Sequence, residues 1–354
     1  MHAVRIEDPE PQNPEAREAV AAPARTMRAM LHERDGSFDG LRLREIPTPT
    51  PGKGEVLVRV AAAGLHVADC FGVRGSPFVM RMAVGLFRPK LGIPGFDLAG
   101  RVAAVGEGVR RFRVGDAVFG ECAGSCADYV CASQERLALK PEGLSFAEAA
   151  SVPTSALAAL HGLRDAAKLE AGQRLLINGA SGGVGTFAVQ IAVSLGAKVT
   201  GVCSTGNVEL VRGLGADEVI DYTRGDFTDG PSKYDVVFDN VENRSLSAVR
   251  RALTPKGTAV FNSGTGATGL RMLTRLLAPV VLSPFVGHKL RRYLSMPNHD
   301  DLVVLKEMVE SGRLRPVIDR TVSLVEVPEA LEYIESGRAR GKVVVTVAAS
   351  ASLG

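Results

Sequence analysis

The sequence predicts an α/β protein in two parts: a small β-rich barrel, then a doubly wound parallel sheet with helices on both faces. Three observations carry this. The chain has 354 residues, which at roughly 100–200 residues per domain suits two domains. Up to residue 145 short strands are separated by Gly and Pro, the texture of a compact barrel. From there to residue 265 helices and strands alternate, which implies a parallel sheet joined by right-handed crossovers.

The elements follow in order. Residues 1–26 hold several Pro, Glu and Ala with no sustained period and read as a flexible lead-in. Regular structure is expected from Met27. Residues 41–46 alternate apolar and charged side chains, as a half-buried strand does. A Pro-Thr-Pro-Thr-Pro-Gly turn at 47–52 separates it from a strand at 55–61, and further strands are expected at 100–105 and 116–119. Ser145 and Glu148 have the spacing of a capping box that opens a helix. Strands are then expected at 174–178, 198–203, 218–221, 234–239 and 258–262, with helices at 184–195, 208–214 and 245–253. Beyond Pro297 come a helix at 300–310, a strand near 318–322, a helix opened by Pro328 and closed by Gly337, and a strand at 342–347. Such a tail cannot build a core alone, so it is expected to return to the first domain. The expected division is therefore lead-in 1–26, barrel 27–150 completed by 293–347, parallel-sheet domain 151–292 and tail 348–354.

Composition narrows the function classes. Hydrophobic residues make up 45% and charged residues 23%, ordinary values for a globular core. A net charge of +3 with scattered Lys and Arg argues against a nucleic-acid partner, which calls for a basic stripe. The five cysteines, Cys70, Cys122, Cys126, Cys131 and Cys203, are too few and odd in number for a disulfide framework, so a reducing, cytoplasmic location is expected. The first 27 residues lack an apolar signal-peptide core. The longest apolar stretch, 276–287, contains two prolines and falls short of the roughly 20 residues a membrane span needs. No membrane partner is expected.

The decisive segment is Leu175-Leu-Ile-Asn-Gly-Ala-Ser-Gly-Gly-Val-Gly185. A buried strand runs into glycines and a helix starts directly after them. The fingerprint is Ala180-x-Gly182-x-x-Gly185, with Ala in place of the usual first glycine. Gly182 lets a backbone approach a pyrophosphate, Gly185 lets the helix pack on the strand, and the exposed N–H groups of Ser181, Gly182, Gly183 and Val184 attract phosphate. A plain tight turn is the competing reading; the strand–turn–helix context favours a dinucleotide site. NAD sites usually place an acid about 20 positions on. Here the second strand runs into Ser204, Thr205, Gly206 and Asn207, small polar residues compatible with the 2′-phosphate of NADP, and Tyr222 and Arg224 stand nearby in sequence. The same residues also suit a helix cap. The expected cofactor set is completed by Asn240, Ser263, Gly264 and Lys342. NADPH is the expected cofactor and NADH the second candidate.

At this point the sequence resembles the medium-chain dehydrogenase/reductase superfamily, in its zinc-independent, quinone oxidoreductase-like branch. The resemblance covers residues 27–347 and rests on Ala63-Gly-Leu-His-Val-Ala-Asp69, Pro94-Gly-Phe-Asp-Leu-Ala-Gly-Arg-Val102, Val105-Gly-Glu-Gly-Val-Arg-Arg-Phe-Arg-Val-Gly-Asp-Ala-Val118, the glycine turn, Leu214-Gly-Ala-Asp-Glu-Val-Ile-Asp-Tyr222 and Arg338-Ala-Arg-Gly-Lys-Val-Val344. It implies a GroES-like β-barrel plus a Rossmann domain, with the active site between them. Zinc-dependent members carry Cys at the position of His66 and Gly-His-Glu where this chain has Gly95-Phe96-Asp97. Phe96 cannot ligate metal, and the Cys122, Cys126 and Cys131 spacing does not match a four-cysteine lobe, so no metal is expected. The related quinone reductases usually carry Asn at position 66 and often Arg at position 206. Both are departures here.

Without zinc, hydride transfer to an already electrophilic enone or quinone remains feasible if the protein stabilises the enolate oxygen. His66 is the candidate catalytic residue, as a hydrogen-bond or proton donor; plain lining of the cleft is the alternative. Asp69 is expected to brace its loop. Residues 76–91 and 270–294 are apolar with interspersed arginines and suit a substrate wall, core packing or a homodimer surface. The lead function is an NADPH-dependent reductase of an activated C=C bond or quinone in an apolar small molecule. A zinc-free alcohol dehydrogenase or ketone reductase acting on C=O, and a non-enzymatic NADPH-binding protein, are the alternatives.

Overall fold

The computed structural model describes residues 22–33, 36–74, 92–229, 233–262, 281–283 and 286–347. Ser263 and Gly264, residues 1–21, 76–91, 270–280, 284–285 and 348–354 lie outside them.

A hairpin of β1 (Thr26–His32) and β2 (Leu41–Pro47) opens the fold and packs Met27, Ala29 and Ile46 on Leu57 and Tyr129. The barrel sheet is built on β3 (Glu55–Leu65). After α1 (Val67–Arg74) come β4 (Asp97–Val105), β5 (Ala117–Glu121), β6 (Tyr129–Ser133) and β7 (Leu137–Leu139). β3 runs on past residue 61 because it is central: it pairs antiparallel with β4 and β6, and its end pairs with a strand from the far C-terminus.

The helix α2 (Phe146–Ala150) starts at the expected capping box, with Ser145 Oγ accepting from Glu148 N and the Glu148 carboxylate accepting from Ser145 N. α3 (Pro153–Leu160) follows and relaxes into a π-helical turn, His161–Ala167, closed by Lys168 in the left-handed conformation at φ 53°. The parallel sheet then forms from β8 (Arg174–Asn178), α4 (Gly183–Ser194), β9 (Lys198–Cys203), α5 (Val208–Gly213), β10 (Glu218–Asp221), β11 (Tyr234–Asp239), α6 (Leu246–Ala252), β12 (Leu253–Phe261) and β13 (Lys289–Arg292). Its order, β10-β9-β8-β11-β12-β13, is all parallel and doubly wound, and it reverses between β8 and β11. Such a reversal opens a crevice at the carboxyl ends of the strands. α4 begins there, directly after β8.

The chain ends with α7 (His299–Glu310), β14 (Ile318–Ser323), α8 (Val327–Glu335) and β15 (Lys342–Thr346). β14 pairs with β15, and β15 pairs antiparallel with β3, so the C-terminus enters the barrel sheet. α7 behaves differently: Leu302, Leu305 and Met308 join an apolar cluster that runs from Ala99 and Phe119 through α3 to Phe187 and Phe238. One core therefore spans the seam between barrel and parallel sheet. Among the described residues no helix is long and apolar enough to cross a membrane.

Candidate active site

The glycine turn sits where the parallel sheet reverses. Gly182 caps α4 without a side-chain acceptor, which leaves the first-turn N–H groups available to an anion. Gly185 is obligatory: a Cβ there would fall 2.0 Å from the Gly179 carbonyl oxygen. Ser181, Gly182, Gly183 and Val184 are partly open. Ala180 is fully buried and its N–H donates to Val202 O, so it packs the turn rather than facing outward. The turn also touches the barrel, since Gly341 N donates to Ser181 O at 2.9 Å and Gly182 bridges Gly341.

The expected 2′-phosphate residues gather beside this turn. Asn207 Nδ2 donates to Ser181 Oγ and Ser204 Oγ at 3.0 and 3.2 Å, and its Oδ1 is buried with no hydrogen-bond partner among the described residues. Thr205 Oγ1 donates to Asp221 Oδ2 at 2.6 Å, and this bond above all holds the Asp221 carboxyl below its usual range. The segment 204–207 is free of acids in sequence, but β10 brings one to it. A cation arrives as well: an Arg340 guanidinium nitrogen lies 3.3 Å from where a Cβ on Gly206 would stand. Tyr222 is 54% exposed at the end of β10, and Arg224 Nε lies 3.5 Å from Asp221. Asn240 is fixed further along the sheet edge, accepting from Asn262 Nδ2 at 2.9 Å. Neighbouring Asp239 accepts from Asn178 Nδ2, Val241 N and Glu242 N through one oxygen; the other is buried with no partner among the described residues.

On the barrel side, β3 delivers His66 and the turn before β4 delivers Phe96. Gly95 turns at φ 96°, where a Cβ would fall 2.3 Å from Ser125 Oγ. Asp69 accepts from His66 N at 2.9 Å and Gly95 N at 2.7 Å, tying the two loops together; burial raises its carboxyl. His66 Nδ1 accepts from Ala68 N at 3.3 Å. In a neutral imidazole the proton then lies on Nε2. That Nε2 is buried, 4.0 Å from Asp69 Oδ2, and has no hydrogen-bond partner among the described residues. The His66 and Phe96 rings lie 5.4 Å apart.

Lys342 approaches the glycine turn with its stem, not its charge. A Cβ on Gly183 would meet Lys342 Cδ at 3.3 Å, while Nζ donates to Asp97 Oδ2 at 3.1 Å. The pair is buried, with side chains 1% and 0% exposed. Asp97 Oδ1 accepts from Thr154 N at 2.9 Å, and the Thr154 hydroxyl lies 2.5 Å from Asp97 Oδ1 and 2.9 Å from Glu121 Oε2. Burial first, then the Asp97 charge, pushes Glu121 up to about 7. Lys342–Asp97–Thr154–Glu121 is thus one polar chain through the seam. Glu121 and Thr154 carry no local sequence signal.

These residues do not fit a zinc ion. Phe96 offers no donor and Asp97 already pairs with an ammonium. Cys122 and Cys126 are buried in the barrel core, where they pack among apolar side chains. Among the described residues no group of three or more His, Cys, Asp or Glu is arranged to hold a metal. A separate cavity of about 420 Å³ opens at the end of β13, walled by Arg292, Tyr293, Leu294 and Met296 with His161 and Asp301. His66 and the glycine turn do not line it.

The fold and this seam define a medium-chain dehydrogenase/reductase architecture, and comparison with known proteins agrees. Residues 52–162 match the alcohol dehydrogenase GroES-like domain, and residues 214–345 match the family described as zinc-binding dehydrogenase. The chain is 33% identical over 338 residues to 2-methylene-furan-3-one reductase of Solanum lycopersicum, covering 90% of this chain and 79% of that one. It is 32% identical over 346 residues to the chloroplastic NADPH-dependent alkenal/one oxidoreductase of Arabidopsis thaliana, covering 92% and 81%. The quinone oxidoreductase structure from Coxiella burnetii superposes with a TM-score of 0.78 at 30% identity, over 91% of this chain and all of that one. The chain belongs to the medium-chain dehydrogenase/reductase family, in its quinone oxidoreductase-like branch.

Proposed function

We propose that this protein is an NADPH-dependent reductase of an activated C=C bond or quinone in an apolar small molecule, acting without zinc. The carrying observation is the seam itself: a glycine turn bound to the barrel at Gly341 and lying against the Lys342 stem, with the unpartnered His66 Nε2 on the barrel side. The relatives' named activities point the same way.

On this reading residues 27–150 and 293–347 form the substrate domain and 151–292 the cofactor domain. NADPH supplies the hydride when bound. Ser181, Gly182, Gly183, Val184 and Gly185 cradle its pyrophosphate, with Ala180 packing the turn from behind. Ser204, Thr205, Asn207 and Arg340 hold the 2′-phosphate side, where Arg340 supplies the charge that Gly206 lacks. Tyr222 and Asn240 complete the cradle among the described residues. His66 Nε2–H donates to the substrate carbonyl oxygen as charge develops there, in a site kept dry by Phe96. Asp69 positions that imidazole through the His66 backbone.

The test is NADPH oxidation against a panel of enones, quinones and ketones with product identification. Saturated ketones or quinols support the reading. Alcohols from C=O reduction would assign a ketone reductase instead, and cofactor binding without turnover across the panel would assign a binding protein.

A further inference from the structure

The Thr154 hydroxyl stands between two carboxyl groups, 2.5 Å from Asp97 and 2.9 Å from Glu121. It owns one proton, so it can donate along only one of these contacts. Asp97 already faces the Lys342 ammonium and accepts from Thr154 N, which makes it the anionic partner. The hydroxyl therefore donates to Asp97, and the second contact needs a proton on Glu121, donated to Thr154 Oγ1. Two carboxylates facing one hydroxyl would leave an oxygen–oxygen contact with no hydrogen in it. At the other end of the chain the Lys342 stem rests on Gly183, inside the dinucleotide turn.

We infer that Glu121 is a positioning residue that couples cofactor occupancy to pH: with Thr154, Asp97 and Lys342 it forms one chain from the barrel to the glycine turn, and NADPH binding draws a proton onto it. This rests on the proposed cofactor reading and goes beyond it. The charges facing Glu121 are Asp97 on β4, Arg136 in the turn after β6 and Lys342 on β15, with the Thr154 hydroxyl on α3. Asp97 and burial favour the neutral carboxyl; Arg136 and Lys342 favour the charged one. With its carboxyl raised to about 7, Glu121 changes charge in the neutral range. The sign follows. Below that value the carboxyl is neutral and completes the chain. Above it, a new negative charge enters the seam near the bound phosphates, the hydroxyl is contested, and cofactor binding weakens. For one added like charge at an effective dielectric between those of a protein surface and water, the expected loss is about threefold to tenfold in Kd. By reciprocity, bound NADPH raises the Glu121 pKa further and takes up a fraction of a proton.

The test is titration calorimetry of full-length protein with NADPH between pH 7 and 8.5, in buffers of different ionisation enthalpy. Wild type should take up a fraction of one proton, and Glu121→Gln, which keeps a donor toward Thr154 but cannot ionise, should not. The Kd of Glu121→Gln should stay flat where that of wild type rises. Thr154→Val provides a second variant: without the oxygen that accepts its proton, Glu121 should titrate lower and the uptake should move to lower pH. Equal proton uptake in wild type and Glu121→Gln, or tight NADPH binding by wild type with no uptake, overturns the inference while leaving the cofactor reading intact. Absence of NADPH binding overturns both.

Discussion

Replacing Lys342 by Met should be far more damaging than replacing both members of its ion pair. Met keeps a stem of similar length against Gly183 but leaves Asp97 charged in a seam where its side chain is 0% exposed. Breaking a buried pair from one side costs about 3–5 kcal/mol, because the remaining charge is stranded. Here Thr154 still donates to Asp97 from its N–H and hydroxyl, at 2.9 and 2.5 Å, so the lower end applies, about 3 kcal/mol. At about 2–4 °C per kcal/mol for domains of this size, Tm should fall by about 6–12 °C. Asp97→Asn combined with Lys342→Met removes both charges and keeps a group that Thr154 N–H can bond, so most of the loss should return. Scanning calorimetry at one scan rate on wild type, both single variants and the double variant reads this directly. A Lys342→Met shift below 2 °C, or a double variant as unstable as the sum of the singles, would refute the view that the pair is a coupled buried unit.

The other predictions follow from the site. His66→Ala should lower kcat about 100-fold while NADPH Kd stays nearly constant, because the donor acts on the developing oxyanion; His66→Asn should retain more activity, and wild-type turnover by His66→Ala would reduce the residue to a cleft wall. Arg340→Ala should weaken NADPH by about tenfold, the worth of one exposed charge-assisted bond, and leave NADH nearly unchanged; parallel loss of both cofactors would remove Arg340 from the 2′-phosphate. Protein purified without chelator should contain far less than one zinc per chain by elemental analysis; stoichiometric zinc whose removal abolishes activity would contradict the donor chemistry of Phe96 and Asp97.

What could be read from sequence divides along a physical line. The inner strands β8, β9 and β11 announce themselves as short apolar runs bounded by turns and fall where the pattern puts them, as does the edge strand β10. β13 does not, because Lys289–Arg292 buries only Leu290 and its charges mask an edge strand. α3 is hidden for the opposite reason. Seven of its residues are buried, so no polar face gives it a helical period, and Pro153 at its start obscures the boundary. The site divides in the same way. The glycine turn is local chemistry and is visible. The partner of Lys342 is 245 residues away, and only the return of β15 to β3 brings the two together. Likewise Asp221 meets Thr205, and Arg340 meets Gly206, only through the fold.

On the proposed reading a histidine with one free N–H serves in place of a metal, and that long-range closure bears on how. A neutral N–H donor polarises an oxygen effectively only where water does not compete for it. Phe96 beside the ring, the carboxylate of Asp69 tied up by two backbone N–H groups, and the Ala68 N–H on Nδ1 leave Nε2 as the unoccupied donor of the imidazole. Its geometry is fixed from the barrel side. The glycine turn is joined to the same barrel at Gly341 and lies against the Lys342 stem. Donor and glycine turn are therefore referenced to one sheet, through β3 at His66 and β15 at Lys342, which pair with each other at Leu65 and Val343. A substitution that loosens the Lys342–Asp97 pair should accordingly impair turnover as well as stability, by letting the cofactor cradle drift from the donor that His66 holds in place.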